Sequence, residues 1–398
     1  MARLACLSVA VFGLAFTQAP ALAQSPPGDL IVDSRVRYET VDQDGLSDAV
    51  ALTWRTRLGW ESPQWSKFKV LVEAETVTAL VDDYNDTING RVRYPVIADP
   101  ETAELNRAQI TWTGLEDTEV VLGRQRLILN NARFVGNVGF RQNEQTFDAV
   151  TVRTRAFAPL TLTYAYIDRV HRIFGDDSPQ GEWDSDSHVI QVNTPTPAGE
   201  LSGYGYLLAF DEAPGQSSAT WGARLKGSRP VASGWIATYA LEYARQSEYG
   251  DNPAAFDLDY VAVEGGLGHG PLAGSLAMER LDGDGARAFQ TPLATLHAFQ
   301  GWADVFLVTP PNGIRDLMAS ASYTITNPPL VQAVTLSATW HDFDDADGSV
   351  DYGQEFDAVA RFTLNPRWSA EIKGARFDGA LPAFADRTKV WASVEFKF

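Results

Sequence analysis

The chain has one cysteine, Cys6, and five histidines. A lone cysteine closes no intramolecular disulfide and anchors no thiolate-rich metal centre, so the stability of the fold comes from burial and hydrogen bonding. Cys6 precedes most of the apolar N-terminal run, an order that does not match a lipid-attachment site. The histidines, His171, His188, His269, His297 and His341, are dispersed, and there is no HExxH pair, no GxSxG elbow and no thiol nucleophile. The chain therefore reads as a non-enzyme with no metal and no cofactor. The acidic run 342–348 does not fit a calcium loop: counting back from Gly348 puts Phe343 at the first ligand position and Gln354 where a bidentate Glu belongs. Beyond the N-terminus no apolar run reaches the roughly 20 residues that a membrane-spanning helix needs. No Pro/Ser linker and no internal repeat divides the chain. Basic residues are outnumbered, 32 against 51 acidic for a net charge of −19, and form no exposed basic stripe, which excludes nucleic acid as a partner.

What is present begins with an export signal. Arg3 supplies a short positive region, 4–16 is apolar, and Ala21-Leu22-Ala23 offers a small-x-small cleavage site. The expected division is residues 1–23 as signal peptide and 24–398 as one unit.

Within that unit the dominant pattern has a period of two. Leu52, Trp54, Thr56, Leu58 and Trp60 alternate with Thr53, Arg55, Arg57 and Gly59. Arg35, Arg37 and Glu39 oppose Val36, Tyr38 and Thr40, and Lys69, Glu73 and Glu75 oppose Phe68, Val70, Val72 and Ala74. Each segment is a strand with one apolar and one charged face. Three features select a membrane barrel over a soluble sandwich. Trp54, Trp60, Trp112, Trp340 and Trp391 stand near the ends of apolar faces, as interface girdles do. Short turns such as 364–367 alternate with longer acidic stretches at 81–105, 174–187 and 342–354. The chain ends on an outward set of Val390, Ala392, Val394, Phe396 and Phe398, similar to the assembly signal of outer-membrane barrels. A spanning sheet must close, because an open edge leaves backbone groups unsatisfied in hydrocarbon. With strands of about 10 residues and connections of similar length, the fold class is all-β: a transmembrane antiparallel β-barrel of about 18 strands, wide enough for an aqueous lumen, with long acidic extracellular loops.

Fifteen arginines lie between Arg35 and Arg172. Those on polar faces, Arg35, Arg37, Arg55, Arg57, Arg107, Arg153 and Arg155, are expected to line one wall of the lumen. Two readings stay open: they pair with lumenal Glu39, Glu73 and Glu75 and stiffen the wall, or they form a ladder that favours anions.

The segment 123–148, GRQRLILNNARFVGNVGFRQNEQTFD, resembles a block of the alginate-export family of bacterial outer-membrane porins, as does 291–317, TPLATLHAFQGWADVFLVTPPNGIRDL. The resemblance implies a monomeric channel that passes an anionic polysaccharide of alginate-like uronates across the bacterial outer membrane. It carries a lumen-lining role onto Arg124, Gln125, Arg133, Arg141, Gln142 and Gln145. Arg133 and Arg141 are expected to form the narrow point. The second block is read as a loop packed on the wall or as a constriction folded into the pore. A diffusion porin for small anions is the rival function, and an outer-membrane enzyme is the third. The expected partners are the lipid bilayer with lipopolysaccharide, the anionic solute, and the barrel-assembly machinery acting through the strand that ends at Phe398.

Overall fold

A computed structural model describes residues 28–398; the expected signal peptide at 1–23 lies outside the described residues. Eighteen strands follow one another: β1 (Asp29–Gln43), β2 (Ala49–Glu61), β3 (Phe68–Asp83), β4 (Thr102–Trp112), β5 (Thr118–Gln125) and β6 (Thr146–Thr154). Next come β7 (Thr161–His171), β8 (Glu182–Thr196), β9 (Gly199–Leu208), β10 (Ser218–Ala232), β11 (Trp235–Glu248) and β12 (Asp257–His269). The last six are β13 (Leu272–Leu281), β14 (Ile314–Thr326), β15 (Ala333–Asp344), β16 (Asp351–Thr363), β17 (Trp368–Gly379) and β18 (Arg387–Lys397). Every strand pairs antiparallel with its sequence neighbours and β1 pairs with β18, so the sheet closes into a barrel with no edge. The predicted fold and strand number match this architecture.

The two faces separate as the alternation requires. Trp54, Leu58, Val72, Ile110, Leu122, Leu276, Phe356 and Ile372 point outward and are exposed, Leu276 by 69%. A continuous apolar belt of this extent belongs in lipid. Trp391 is a correction: it is 2% exposed and faces inward, edge-on to Phe140 and to His297. The outward positions of β18 are its neighbours Val390, Ala392 and Val394, because side chains alternate strictly along a strand.

The connections are short at one end, as at 197–198, 233–234, 270–271 and 364–367, and long at the other, as at 84–101, 126–145 and 282–313. By this asymmetry the long end is extracellular. The predicted acidic loops are narrower than expected: Glu182, Asp184, Asp342, Asp344 and Asp351 lie on strands, which continue past the apolar belt into water.

The two longest connections, 126–145 and 282–313, fold back into the barrel. They run side by side: Gly136 N donates to Leu293 O (2.9 Å) and Thr295 N to Ala132 O (3.0 Å). Phe134 enters a pocket of Tyr204, Tyr206, Tyr260 and Phe289, ring centroids 5.2–6.0 Å away, on the inner wall of β9 and β12. Phe306 packs likewise on Phe343, Tyr352 and Phe377 of β15, β16 and β17. An apolar core therefore fills the barrel beside β9–β17. Open space lies along β1–β9.

Candidate functional site

The inner face of β1 and β2 carries Arg35, Arg37, Arg55 and Arg57, with Arg35 directly opposite Arg55. Like charges set against each other in a wall need counterions. Arg55 meets Asp33 and Glu395 (3.1 Å), Arg57 meets Glu75 and Glu144 (3.7 Å), and Arg37 meets Asp99 and Glu39 (3.6 Å). On β4 a bulge opposite Glu73 and Ala74 turns two consecutive side chains inward. Both reach Glu73: Asn106 donates to Oε1 at 2.8 Å, and Arg107 donates to both oxygens at 2.8 and 2.7 Å. Arg35 differs from these. Its Nε donates to Gln142 Oε1 (2.9 Å) and its Nη2 to the carbonyl of Phe140 (2.9 Å), and among the described residues no carboxylate lies within ion-pair distance.

Arg124 corrects the expectation for its position. It pairs across the ladder with Ala108, on the same side as Val72 and Ile110, and so sits on the outer face. There it grips Asp148 at 3.0 and 3.2 Å. Gln125, one residue on, faces inward and is consumed by the carbonyls of Gly123 (3.1 Å) and Ala149 (3.0 Å).

The loop residues point into the barrel, but none of the arginines at the expected narrow point is free. Arg133 is 1% exposed and donates to Glu279 (2.6 Å), Thr291 (2.9 Å) and Gln300 (3.1 Å). Arg141 meets Asp304 (3.0 Å) and Glu39 (3.4 Å). Burial opposes its charge, yet these carboxylates with Asp99 raise its pKa, so it stays cationic. Gln142 donates to Thr53 Oγ1 (2.8 Å) through its side chain and to Asp99 through its backbone (2.8 Å). Gln145 ties Gly136 O (2.8 Å) to Leu293 O (3.0 Å). These residues fasten the 126–145 loop to the wall and to the 282–313 loop inside the barrel.

The 282–313 loop is fastened to β16 and β18. Trp302 N and Ala303 N donate to Asp357 (3.1 Å) and Glu355 (2.7 Å) of β16, and Asp304 meets Lys389 (2.6 Å) and His297 (2.6 Å). Burial works against the charge on Asp304, but His297, Lys389 and Arg141 hold its carboxyl well below the usual range. The second block is thus both packed on the wall and folded into the pore.

The infolded loop parts two cavities. The outer one, about 540 Å³, is lined by Leu46, Tyr94, Val96, Phe174 and Val308 together with the cations Arg141, Lys389, Arg387 and Arg172. The inner space is lined in one part, about 540 Å³, by Arg55, Arg57, Arg107 and Arg126, and in a second, about 620 Å³, by Arg107, Arg153 and Arg155. Val138 lines the outer cavity, whereas its neighbours Asn137 and Gly139 line the inner one, so this segment is the partition. Among the described residues, Arg35, Arg153, Arg155, Arg172 and Arg387 have no carboxylate within 4.0 Å. Arg172 sits over the Trp183 ring (3.8 Å), and burial lowers its pKa to about 10, which leaves it charged at neutral pH. Arg387 donates to the carbonyls of Ala303 and Asp304, both at 2.9 Å. Sequence reasoning missed Arg172, Arg387, Lys389, Asp99 and Asp304. The inward set of the last strand, opposite Val390 and Ala392, held the signal for Arg387 and Lys389.

No family model and no curated protein matches the chain. Solved structures do. OccAB2 of Acinetobacter baumannii is 16% identical, with 93% of this chain and 98% of that one covered and a TM-score of 0.69. OpdL of Pseudomonas aeruginosa is 16% identical over 93% and 98%, with a TM-score of 0.67. OpdK of Pseudomonas aeruginosa, solved with vanillate, is 12% identical over 93% and 98%, with a TM-score of 0.68. At these identities the likeness is one of fold, and it extends over nearly the whole length of both chains.

Proposed function

We propose that the chain is a bacterial outer-membrane channel through which small organic anions diffuse. The observation that carries this reading is the distribution of uncompensated charge. Arg172 and Arg387 stand in the outer cavity, Arg35 against the 126–145 loop, and Arg153 and Arg155 in the inner space, all without carboxylate partners. Paired arginines contribute little field beyond their counterions. The unpaired ones set the potential along the path, and low-dielectric walls strengthen it. A likeness in fold to a barrel solved with vanillate supports a carboxylate-bearing solute.

Passage of an alginate-like polymer is the reading less favoured by the geometry. Two long loops joined through Arg141 and Asp304 occupy the middle of the barrel, and the spaces on either side are of small-molecule size. Planar-bilayer recording of the purified barrel separates the readings. The expected result is an anion-selective reversal potential in a salt gradient, with current reduced by millimolar vanillate and unaffected by uronate oligomers. Cation selectivity would end the proposal; block by oligomers alone would restore the polymer reading.

A further inference from the structure

A cluster on the outer rim takes no part in the channel. His171, the last residue of β7, pairs across the ladder with Glu182, the first residue of β8, and the connecting loop 172–181 brings Asp176 over them. One ligand-type atom from each of the three lies within 4.8 Å of the others. His171 is buried to 3% exposure. Its Nε2 lies 2.9 Å from Asp148 Oδ2, and Asp148 is itself gripped by Arg124 through both oxygens. Such a carboxylate fixes the imidazole tautomer with the proton on Nε2 and leaves Nδ1 as a bare lone pair.

That lone pair is the unexplained feature. Nδ1 makes no hydrogen bond, although Glu182 Oε1 stands 2.8 Å away, because the oxygen lies off the direction in which a ring N–H would point. Two acceptors in contact repel unless a positive charge stands between them. The surroundings supply little of it: among the described residues, Asp176 and Glu104, joined through the Asp176 amide (3.3 Å), have no Lys or Arg partner within 4.0 Å, and Glu182 has Arg169 alone at 4.0 Å.

We propose that His171 Nδ1, Asp176 and Glu182 bind one divalent transition-metal cation of the zinc class, with Asp148 as the carboxylate that orients the histidine. The imidazole favours such a cation over calcium or magnesium, which take oxygen ligands. The site, which the sequence did not reveal because its ligands have no motif spacing, pins loop 172–181 to the hairpin beneath it. That loop carries Arg172 and Phe174 into the outer cavity.

Calorimetric titration of the folded barrel in detergent with zinc chloride tests the proposal. One equivalent is expected to bind, with affinity reduced tenfold or more in His171→Ala and in Asp176→Asn, and by about tenfold or more in Asp148→Asn. His188→Ala and His269→Ala are expected to bind as the unsubstituted protein does. Cobalt substitution gives a second readout, a visible absorption band that His171→Ala abolishes. Absence of zinc binding, or undiminished binding in His171→Ala, overturns the site. If His171→Ala does not fold, Asp176→Asn, altered in an exposed loop, decides the question by itself.

Discussion

Arg141 Nη2 lies 3.0 Å from Asp304 Oδ2, and this contact joins the two loops that enter the barrel after β5 and after β13. The same arginine reaches Glu39 on β1, and the same aspartate reaches Lys389 on β18. The two loops are therefore tied to the seam where the first and last strands close the barrel.

Removing one member of a buried charge network leaves its partners uncompensated, at a cost of about 3–5 kcal/mol. Arg141→Gln takes one cation from Glu39, Asp99 and Asp304, which keep Arg37 and Lys389, so it should lower the melting temperature of the detergent-folded barrel by less than a fully unpaired charge would. Arg245→Gln, at the exposed pair with Asp257, should leave it unchanged within error. Equal melting of the two variants would show that the network adds no stability.

Selectivity should follow the unpaired arginines. Arg35→Gln and Arg172→Gln are expected to lower the anion-to-cation permeability ratio several-fold. Arg133→Gln, which removes a charge already neutralised by Glu279, should alter selectivity less and stability more. Reversal potentials in a potassium chloride gradient check this, and a larger shift in Arg133→Gln would reverse the assignment.

Phe134→Ala empties the pocket formed by Tyr204, Tyr206, Tyr260 and Phe289. Deleting a buried phenylalanine costs about 3–5 kcal/mol, and here the loss falls on loop anchoring because the strand ladder is untouched. Single-channel conductance should rise and become noisier while the barrel still assembles. Unaltered conductance would mean that the loop is held elsewhere.

The pH response should follow Glu144. Burial disfavours its charge, but Arg57, Arg126 and Asn106 outweigh that and hold its pKa at about 2, against an ordinary 4.5. A depressed carboxylate pKa contributes stability in full above the unfolded value, and the contribution disappears as pH falls toward the folded one. Glu144→Gln should therefore destabilise the barrel at pH 7, with the difference from the unsubstituted protein shrinking between about pH 4.5 and 2. Melting curves at pH 7 and pH 3 measure it; a difference independent of pH would assign the effect to packing.

Phe398 is an assembly residue in this reading. Its backbone pairs with Val32 in both directions (2.8 and 2.9 Å) and Arg367 lies 4.5 Å over its ring, while more than half of the side chain is exposed. Phe398→Ser should reduce the yield of heat-modifiable barrel in the outer-membrane fraction without altering the conductance of the channels that form. A normal yield would remove the terminal residue from the assembly signal.

The sequence by itself determined the barrel, its strand number and the faces of its early strands. Alternation is a local property, and side chains one residue apart on a strand must point to opposite sides. Arg35, Arg37, Arg55 and Arg57 could be placed in the lumen on that ground alone. At Arg124 and Gln125 the family resemblance, not alternation, assigned both neighbours to the lumen: register puts Arg124 outside and Gln125 inside, as side chains one residue apart on a strand require. Which arginines remain free was decided only by tertiary structure. Arg133 finds Glu279 and Arg141 finds Asp304 across more than a hundred residues of chain, and no periodicity records the fold-back of a loop that brings them together. Charge in a lumen is a sum over neighbours from distant strands, so composition showed where the arginines are and only the closed barrel showed which of them still carry a field.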